Sequence, residues 1–455
     1  MSESDNKCYI SEMKKNVYIH TFGCQMNVHD SEKMLGILEQ EGFTETGDPN
    51  DAELIIFNTC SIRQKAEQKF YSELGRIKAF KKKRPRVQIA VAGCIAQQEG
   101  ENILRKAPYV SFVFGPQNIH ALKDFVSGKI ASTALEDNPE IEKTDLPAQR
   151  VDGVQAWVTI MYGCNNFCSF CIVPYTRGRE RSRPTDKILA EVKELAARGY
   201  KEITLLGQNV NSYRSNSNFP GLLKILNRVG GIERIRFVTS HPRDLSEELI
   251  AVMGDLPRVC EHIHLPLQSG SNKILRLMNR GYSFEEYIQK VSKLRNKIPN
   301  ISITTDIIAG FPGETDDDHM LTIEALKKIE FDGIFAFKFS PRPGTKAAGM
   351  ENQLSDGLKS VRLIQILELQ DKITENKNKL LEGTFQEILL EGESEADRKK
   401  LTGRTRTNKI VNIPWIDIKK GALISVEITK GRKHSLEGKL LVQDLKGTVD
   451  KKGKI

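Results

Sequence analysis

The sequence predicts an α/β protein built in three parts. These are an N-terminal open parallel α/β domain over residues 16–130, a central partial (β/α)6 barrel over 151–380 and a small antiparallel β-barrel over 384–446. Three observations lead there. Short β-branched or aromatic runs alternate with helical patterns through the first two regions, the signature of βαβ units and parallel sheets. Six such units follow one another in the middle region, fewer than the eight of a closed barrel. The C-terminal region carries glycine-punctuated strand runs with no helical period.

In the first region the runs are Val17–Thr21, Leu54–Phe57 and Val87–Ala92, each followed by a helical pattern such as Ser31–Glu41 or Ile62–Phe80. They end in Gly23-Cys24, Thr59-Cys60 and Gly93-Cys94, so three cysteines, 36 and 34 residues apart, sit at the carboxyl ends of three strands. Parallel strands put those ends on one edge, where open α/β sheets bind ligands, so the three thiols can converge. A buried cysteine also serves as a small hydrophobe, but that does not explain the same strand-then-turn placement three times. Residues 127–150 carry little apolar pattern and read as a linker.

The central strand candidates are Trp157–Tyr162, Ile203–Leu206, Ile235–Thr239, His262–Leu267, Ile303–Ile308 and Ile334–Phe339, with helical patterns between them. Their carboxyl ends carry polar or glycine-rich turns, the face on which such barrels place active sites. A long helical pattern, Lys359–Leu381, leads out to strand-like runs at Ile388–Leu390, Ile410–Ile413, Leu423–Ile428 and Leu440–Val442.

The 455 residues are 39% hydrophobic and 28% charged, which excludes wholesale disorder. No apolar run approaches the ~18 residues of a membrane span. Met1–Lys7 is polar and leads into no apolar segment, so a cytoplasmic protein without a secretory signal is expected. Eight cysteines in such a chain point to metal or redox chemistry rather than to a disulfide framework. The net charge is +9, and residues 384–455 hold 16 Lys and Arg against 10 Asp and Glu. That concentration fits a polyanion partner; the alternative is a solvated surface with a basic tail at Lys451, Lys452 and Lys454.

The strongest motif is Cys164-x3-Cys168-x2-Cys171. Three thiolates within eight residues can hold three corners of a cubane iron–sulfur cluster and leave one iron open to chelate a small molecule. Zinc patterns use cysteine pairs and a fourth ligand, which His241, His262 or His264 could supply. Cys8, in a polar leader, and Cys260, at the start of a strand, are assigned to neither cysteine trio.

At the end of the first strand of a six-unit barrel, this motif resembles the radical S-adenosylmethionine superfamily. In that superfamily the open iron binds S-adenosylmethionine and one electron releases a 5′-deoxyadenosyl radical. The resemblance narrows with Thr21-Phe22-Gly23-Cys24-Gln25-Met26-Asn27, Asn58-Thr59-Cys60, Ala92-Gly93-Cys94, Tyr162-Gly163-Cys164-Asn165-Asn166-Phe167-Cys168-Ser169-Phe170-Cys171 and Tyr175–Arg183. Thr239-Ser240-His241-Pro242 and Phe339–Thr345 belong with them. Together they resemble the methylthiotransferases, over about Asn16 to Lys446. That family implies an auxiliary [4Fe-4S] cluster on Cys24, Cys60 and Cys94, a radical [4Fe-4S] cluster on Cys164, Cys168 and Cys171, and a C-terminal TRAM barrel that binds RNA.

Gln25-Met26-Asn27 and Asn165-Asn166-Phe167 are similar to the MiaB-type tRNA enzymes. Those install a methylthio group at carbon 2 of N6-isopentenyladenosine at position 37, in the anticodon loop. Related enzymes act on threonylcarbamoyladenosine in tRNA or on a ribosomal-protein aspartate. The different-class alternatives are a non-catalytic iron–sulfur RNA-binding protein and a zinc-binding RNA chaperone. The resemblance implies S-adenosylmethionine contacts among Gln208, Asn209, Ser240, Gln268, Ser269 and Gly310, although Gly207-Gln208-Asn209 stands where Gly-Gly-Glu is usual. Candidate RNA contacts are Arg177, Arg179, Arg181, Arg183, Arg404, Arg406 and Lys409. Expected partners are tRNA, an electron donor such as flavodoxin or ferredoxin, and a sulfur source, with no membrane and a monomeric state. All six cluster ligands precede Glu382, so a chain ending there is expected to keep both clusters and to lose tRNA affinity.

Overall fold

The computed structural model describes residues 15–61, 64–130, 132–150 and 153–441. Cys8, the lysines at 451, 452 and 454 and the end of the third region, 442–446, lie outside the described residues, as does the start of the helical pattern at Ile62. The chain divides into two compact units, one of residues 1–149 with Tyr175–Arg177, the other of the remainder. No helix among the described residues is long and apolar enough to cross a membrane.

The first unit holds a six-stranded parallel sheet. Its strands are β1 (Lys15–Thr21), β2 (Phe43–Glu45), β3 (Leu54–Thr59), β4 (Gln88–Gly93), β5 (Phe112–Phe114) and β6 (Thr133–Ala134), in the order β2-β1-β3-β4-β5-β6. The three runs read from sequence are the central strands β1, β3 and β4. Strands β2, β5 and β6 are too short to show a periodic pattern. β3 is buried along its whole length, and helices such as Gln25–Gln40 and Gln64–Lys83 cover the two faces. Much of the stretch read as a linker packs on this unit: Leu146 joins its core, and Gln149 N donates to Glu32 O at 2.9 Å. Pro147 lies so close to Gly36 that a Cβ there would overlap it. The apolar anchors are too sparse for a periodic signal.

In the second unit the strands are β7 (Gln155–Thr159), the hairpin β8 (Met161–Tyr162) and β9 (Arg181–Ser182), then β10 (Glu202–Leu206), β11 (Arg234–Phe237), β12 (His262–His264), β13 (Ser302–Ala309) and β14 (Gly333–Lys338). β7, β10 and β11 form one parallel sheet and β12, β13 and β14 another, joined by the parallel bridge between Ile235 and Val259. All six sequence-read strands are present. Ala156, Val158, Ile203, Leu205, Ile235, Ile263, Ile303 and Ile307 face the outer helices and form the main core. Alternation therefore turns Trp157, Thr204, Arg236, His264, Thr304 and Asp306 to the other face, the barrel lumen.

The helix Asp356–Lys379 leads to a closed barrel of β15 (Phe385–Glu393), β16 (Lys400–Thr405), β17 (Ile410–Pro414), β18 (Leu423–Gly431) and β19 (Leu436–Leu440), in the order β15-β16-β17-β19-β18. The polar run Lys400–Thr405 gives no apolar signal in sequence. This small barrel closes the amino end of the central one. Arg234 donates to Arg404 O at 2.6 Å and to Glu387 Oε1 at 2.9 Å, and Arg236 donates to Arg406 O and Thr405 O at 2.8 and 2.7 Å.

Candidate functional site

Cys24 caps the start of the helix Gln25–Gln40, Cys60 follows β3 directly, and Cys94 opens the helix Cys94–Glu99 after β4. Two glycines allow their approach. Gly23 (φ +110°) sits so close to Cys60 that a Cβ would overlap its side chain, and Gly93 (φ +89°) lies against Thr59 and Asn58. Asn27 ties the turns together, donating to Phe22 O at 2.7 Å and Thr59 O at 2.8 Å. Arg177 donates to Asn27 Oδ1 at 3.0 Å and pairs with Asp30 at 2.8 Å, with both charges buried. The hydrogen bond with Cys60 draws the Cys24 thiol down to about 6 against the effect of burial, and Arg177 adds to the shift. Burial raises Cys94, which Arg177 partly offsets.

In the second unit, Cys164, Cys168 and Cys171 lie on the loop after β8. Gly163 (φ +68°) presses on the carbonyls of Gly178 and Arg179, where a side chain would clash, and Cys164 N donates to Gly178 O at 3.2 Å. Ser169 pins the loop through Oγ to Leu277 O at 2.8 Å, and Asn279 Nδ2 donates to Phe167 O at 3.0 Å. Burial pushes the free thiols of Cys164 and Cys171 up to about 11 and about 12. The buried Arg280 guanidinium donates to Cys168 Sγ at 3.2 Å and to Pro266 O at 3.0 Å.

Both trios fit a negatively charged iron–sulfur group in the same way: soft sulfur donors, glycine turns that leave room, and a buried arginine among the sulfurs. None of the seven described cysteines is joined in a disulfide. Among the described residues no three His, Cys, Asp or Glu side chains close on one point as a single metal ion requires. A cubane differs, since its ligands bind different irons. The three histidines weighed for zinc have other engagements: His262 and His264 both bond Thr304 Oγ1, at 3.1 and 3.0 Å, and His241 caps a turn by accepting from Arg243 N.

The candidate S-adenosylmethionine contacts divide into two groups. Gln208 Oε1, Asn209 Oδ1, Ser240 Oγ and Gln268 Oε1 are buried without a hydrogen-bond partner, at the carboxyl ends of β10, β11 and β12. Orphaned buried acceptors carry a free-energy cost that a polar ligand relieves, so these four suit a zwitterionic cofactor. Ser269 and Gly310 already have hydrogen-bond partners in the chain. Ser269 Oγ bonds Thr322 Oγ1 at 3.3 Å, and Gly310 N donates to the Glu314 carboxylate at 3.1 Å.

Most of the candidate RNA contacts are held within the chain. Arg177 lies in the first trio's surroundings, and Arg183 pairs with Glu191 at 2.7 Å. Arg181 pairs across the hairpin opposite Tyr162. Arg404 pairs with Glu391 and Arg406 with Glu261, each at 2.8 Å, and Lys409 lies 3.2 Å from Asp332. Arg179 is exposed and stacks over Phe167, 4.3 Å from its centroid. Sequence reasoning missed Asp30, which pairs with Arg177, and Arg280, which meets Cys168 only through the fold.

Comparison with known proteins follows this division. Residues 16–115 match the Uncharacterized protein family UPF0004, 158–326 the Radical SAM superfamily and 379–441 the TRAM domain. The tRNA-2-methylthio-N(6)-dimethylallyladenosine synthase of Thermodesulfovibrio yellowstonii is 57% identical over 427 residues, spanning 93% of this chain and 98% of its own length. Those so named from Syntrophus aciditrophicus and Carboxydothermus hydrogenoformans are 49% and 46% identical, over 98% and 94% of this chain and 99% and 100% of theirs. Among solved structures, the radical S-adenosylmethionine methyltransferase TsrM from Kitasatospora setae superposes with a TM-score of 0.56 at 14% identity, covering 73% of this chain and 75% of that one. That likeness is one of fold.

Proposed function

Because this chain belongs to the tRNA-2-methylthio-N(6)-dimethylallyladenosine synthase family, we propose that it methylthiolates carbon 2 of N6-isopentenyladenosine at position 37 of tRNA. It is a radical S-adenosylmethionine enzyme with a C-terminal TRAM domain. Its cofactors are [4Fe-4S] clusters and S-adenosylmethionine, which together supply the 5′-deoxyadenosyl radical that attacks an unactivated C–H bond. The observation that carries the reading is the pair of cysteine trios. The first lies at the carboxyl ends of three parallel strands and the second on the loop after β8, and each is held by glycine turns beside a buried arginine.

In this reading Cys164, Cys168 and Cys171 hold the radical cluster, and Arg280 offsets charge at Cys168. Cys24, Cys60 and Cys94 hold the auxiliary cluster, with Arg177 and Asn27 bracing the site. Gln208, Asn209, Ser240 and Gln268 orient S-adenosylmethionine through acceptors that the protein leaves unpaired. Reductive cleavage of one S-adenosylmethionine consumes an electron, and the product gains a sulfur and a methyl group. A flavodoxin or ferredoxin, a sulfur source and a second S-adenosylmethionine as methyl donor therefore complete the reaction of a monomeric, cytoplasmic enzyme. Mass spectrometry of tRNA nucleosides from cells lacking the protein tests the reading. N6-isopentenyladenosine should accumulate at the expense of its 2-methylthio derivative, and an unchanged 2-methylthio level would overturn it.

A further inference from the structure

The lumen of the partial central barrel is closed at its amino end. Arg234 and Arg236 seal its amino end against the carbonyls of Arg404, Thr405 and Arg406, and its other end carries the cysteine loop and the four orphaned acceptors. Most of the lumen wall is polar. On β14, however, Ile334 and Ala336 pack outward on the core, which leaves Phe335 facing inward, 51% exposed. Phe335 pairs in register with Asp306 on β13.

Asp306 is held from one side only. Its Oδ1 lies 3.4 Å from His264 Nε2, while His264 Nδ1 bonds Thr304 Oγ1 at 3.0 Å. The His264 ring stands edge-on to Phe335, centroids 5.8 Å apart. Among the described residues no other side chain pairs with the Asp306 carboxylate, which is 31% exposed. A wall aromatic, a carboxylate with an open acceptor and a histidine beside that carboxylate suit a flat heterocycle that has one N–H donor beside an apolar substituent.

We infer that Asp306 and Phe335 recognise the N6 edge of the target base, with Asp306 accepting the N6–H and Phe335 packing against the alkyl group. This rests on the substrate reading above and adds the residues that choose the base. A carboxylate accepts from an N6–H and repels a purine with a carbonyl at that position. Carbon 2 is separated from carbon 6 by ring nitrogen N1, so a grip on N6 sets the bearing of carbon 2 without covering it. His264 is a positioning residue that acts through Asp306.

The test is a chemical double-mutant cycle on the full, cluster-loaded chain under single turnover. Two anticodon stem-loop RNAs are compared, one with N6-isopentenyladenosine and one with N6-methyl-N6-isopentenyladenosine, which lacks the N6–H. The wild type should be about 10- to 100-fold slower on the second RNA, the range for a hydrogen bond to a charged group. Asp306→Asn should be slowed on the first RNA and show little further loss on the second. Iron and sulfide content and the unfolding midpoint check that the variant is intact. Phe335→Ala should narrow the preference for isopentenyladenosine over unmodified adenosine. If the wild type tolerates the extra methyl group, or Asp306→Asn is slowed equally on both RNAs, the assignment of Asp306 fails; an unchanged preference in Phe335→Ala removes Phe335. No product from the wild type on either RNA overturns the substrate reading itself, and this assignment with it.

Discussion

Replacing Arg236 with Met should strand a buried charge and loosen the C-terminal barrel from the central one. Arg236 Nε lies 2.9 Å from Glu202 Oε2, with the two side chains 5% and 2% exposed. That N–H is not aimed along the line of contact, so the pair acts by charge more than by a directed bond. The arginine also satisfies the carbonyls of Thr405 and Arg406. Removing one partner of such a buried pair costs about 3–5 kcal/mol, because the other charge is left uncompensated. Adding Glu202→Gln removes the stranded carboxylate and should recover part of that cost. The two carbonyls remain unpaired at about 1–3 kcal/mol each if water does not reach them. Urea unfolding of the cluster-loaded chain should therefore rank wild type above Arg236→Met/Glu202→Gln, and the double variant above Arg236→Met. Trypsin should release the C-terminal barrel in the same order. The chain has several domains, so midpoints rather than one unfolding free energy are compared. A wild-type midpoint for Arg236→Met, or a further loss on adding Glu202→Gln, would refute the reasoning. The same network changes what truncation near Glu382 means: all six cysteines remain, but Arg234 and Arg236 lose their acceptors, so the central barrel is destabilised as well as deprived of an RNA-binding module.

Further outcomes follow from the two cysteine sites and from one histidine. Replacing Cys164, Cys168 and Cys171 with Ala should abolish 5′-deoxyadenosine formation and leave one cluster by iron and sulfide assay. Replacing Cys24, Cys60 and Cys94 should leave some reductive cleavage of S-adenosylmethionine and no methylthio product; full product would end the auxiliary role. Gly23→Ala places a Cβ onto Cys60 at φ +110°, so the auxiliary cluster should be lost while the radical cluster's electron paramagnetic resonance signal persists. Arg280→Met removes a hydrogen bond and a positive charge beside Cys168, so the radical cluster's reduction potential should fall, as redox titration would read. Burial lowers His262 to about 3. The unfolded histidine, near 6.5, then binds a proton that the folded one does not, so this contribution is complete above pH 6.5 and declines as pH falls toward 3. At pH 5 that amounts to roughly 2 kcal/mol, and chemical unfolding of His262→Asn should show a correspondingly flatter pH dependence between pH 7 and 5.

Local sequence determined the strands and the cysteines at their ends. Val17, Leu54 and Ile89 belong to runs whose β-branched and aliphatic content admits little but a buried parallel strand, and Gly23 and Gly93 mark the turns after the first and third of them. The motif Cys164-x3-Cys168-x2-Cys171 carries its meaning within eight residues, so a single linear reading reaches it. Tertiary structure alone decided which charges serve the sites. Arg177 looked like part of a basic surface stretch, yet it lies buried between Asp30 and Asn27, both about 150 residues away in the chain. Arg406 and Lys409 looked like contacts for RNA, and they bind Glu261 and Asp332 on the central barrel. An arginine has the same composition and local pattern on a surface as in a core. What separates the two is the acceptor it meets, and long-range parallel pairing sets that. The same holds for Asp306 and Phe335, which fall opposite each other through the register of β13 and β14, a relation no stretch of sequence expresses.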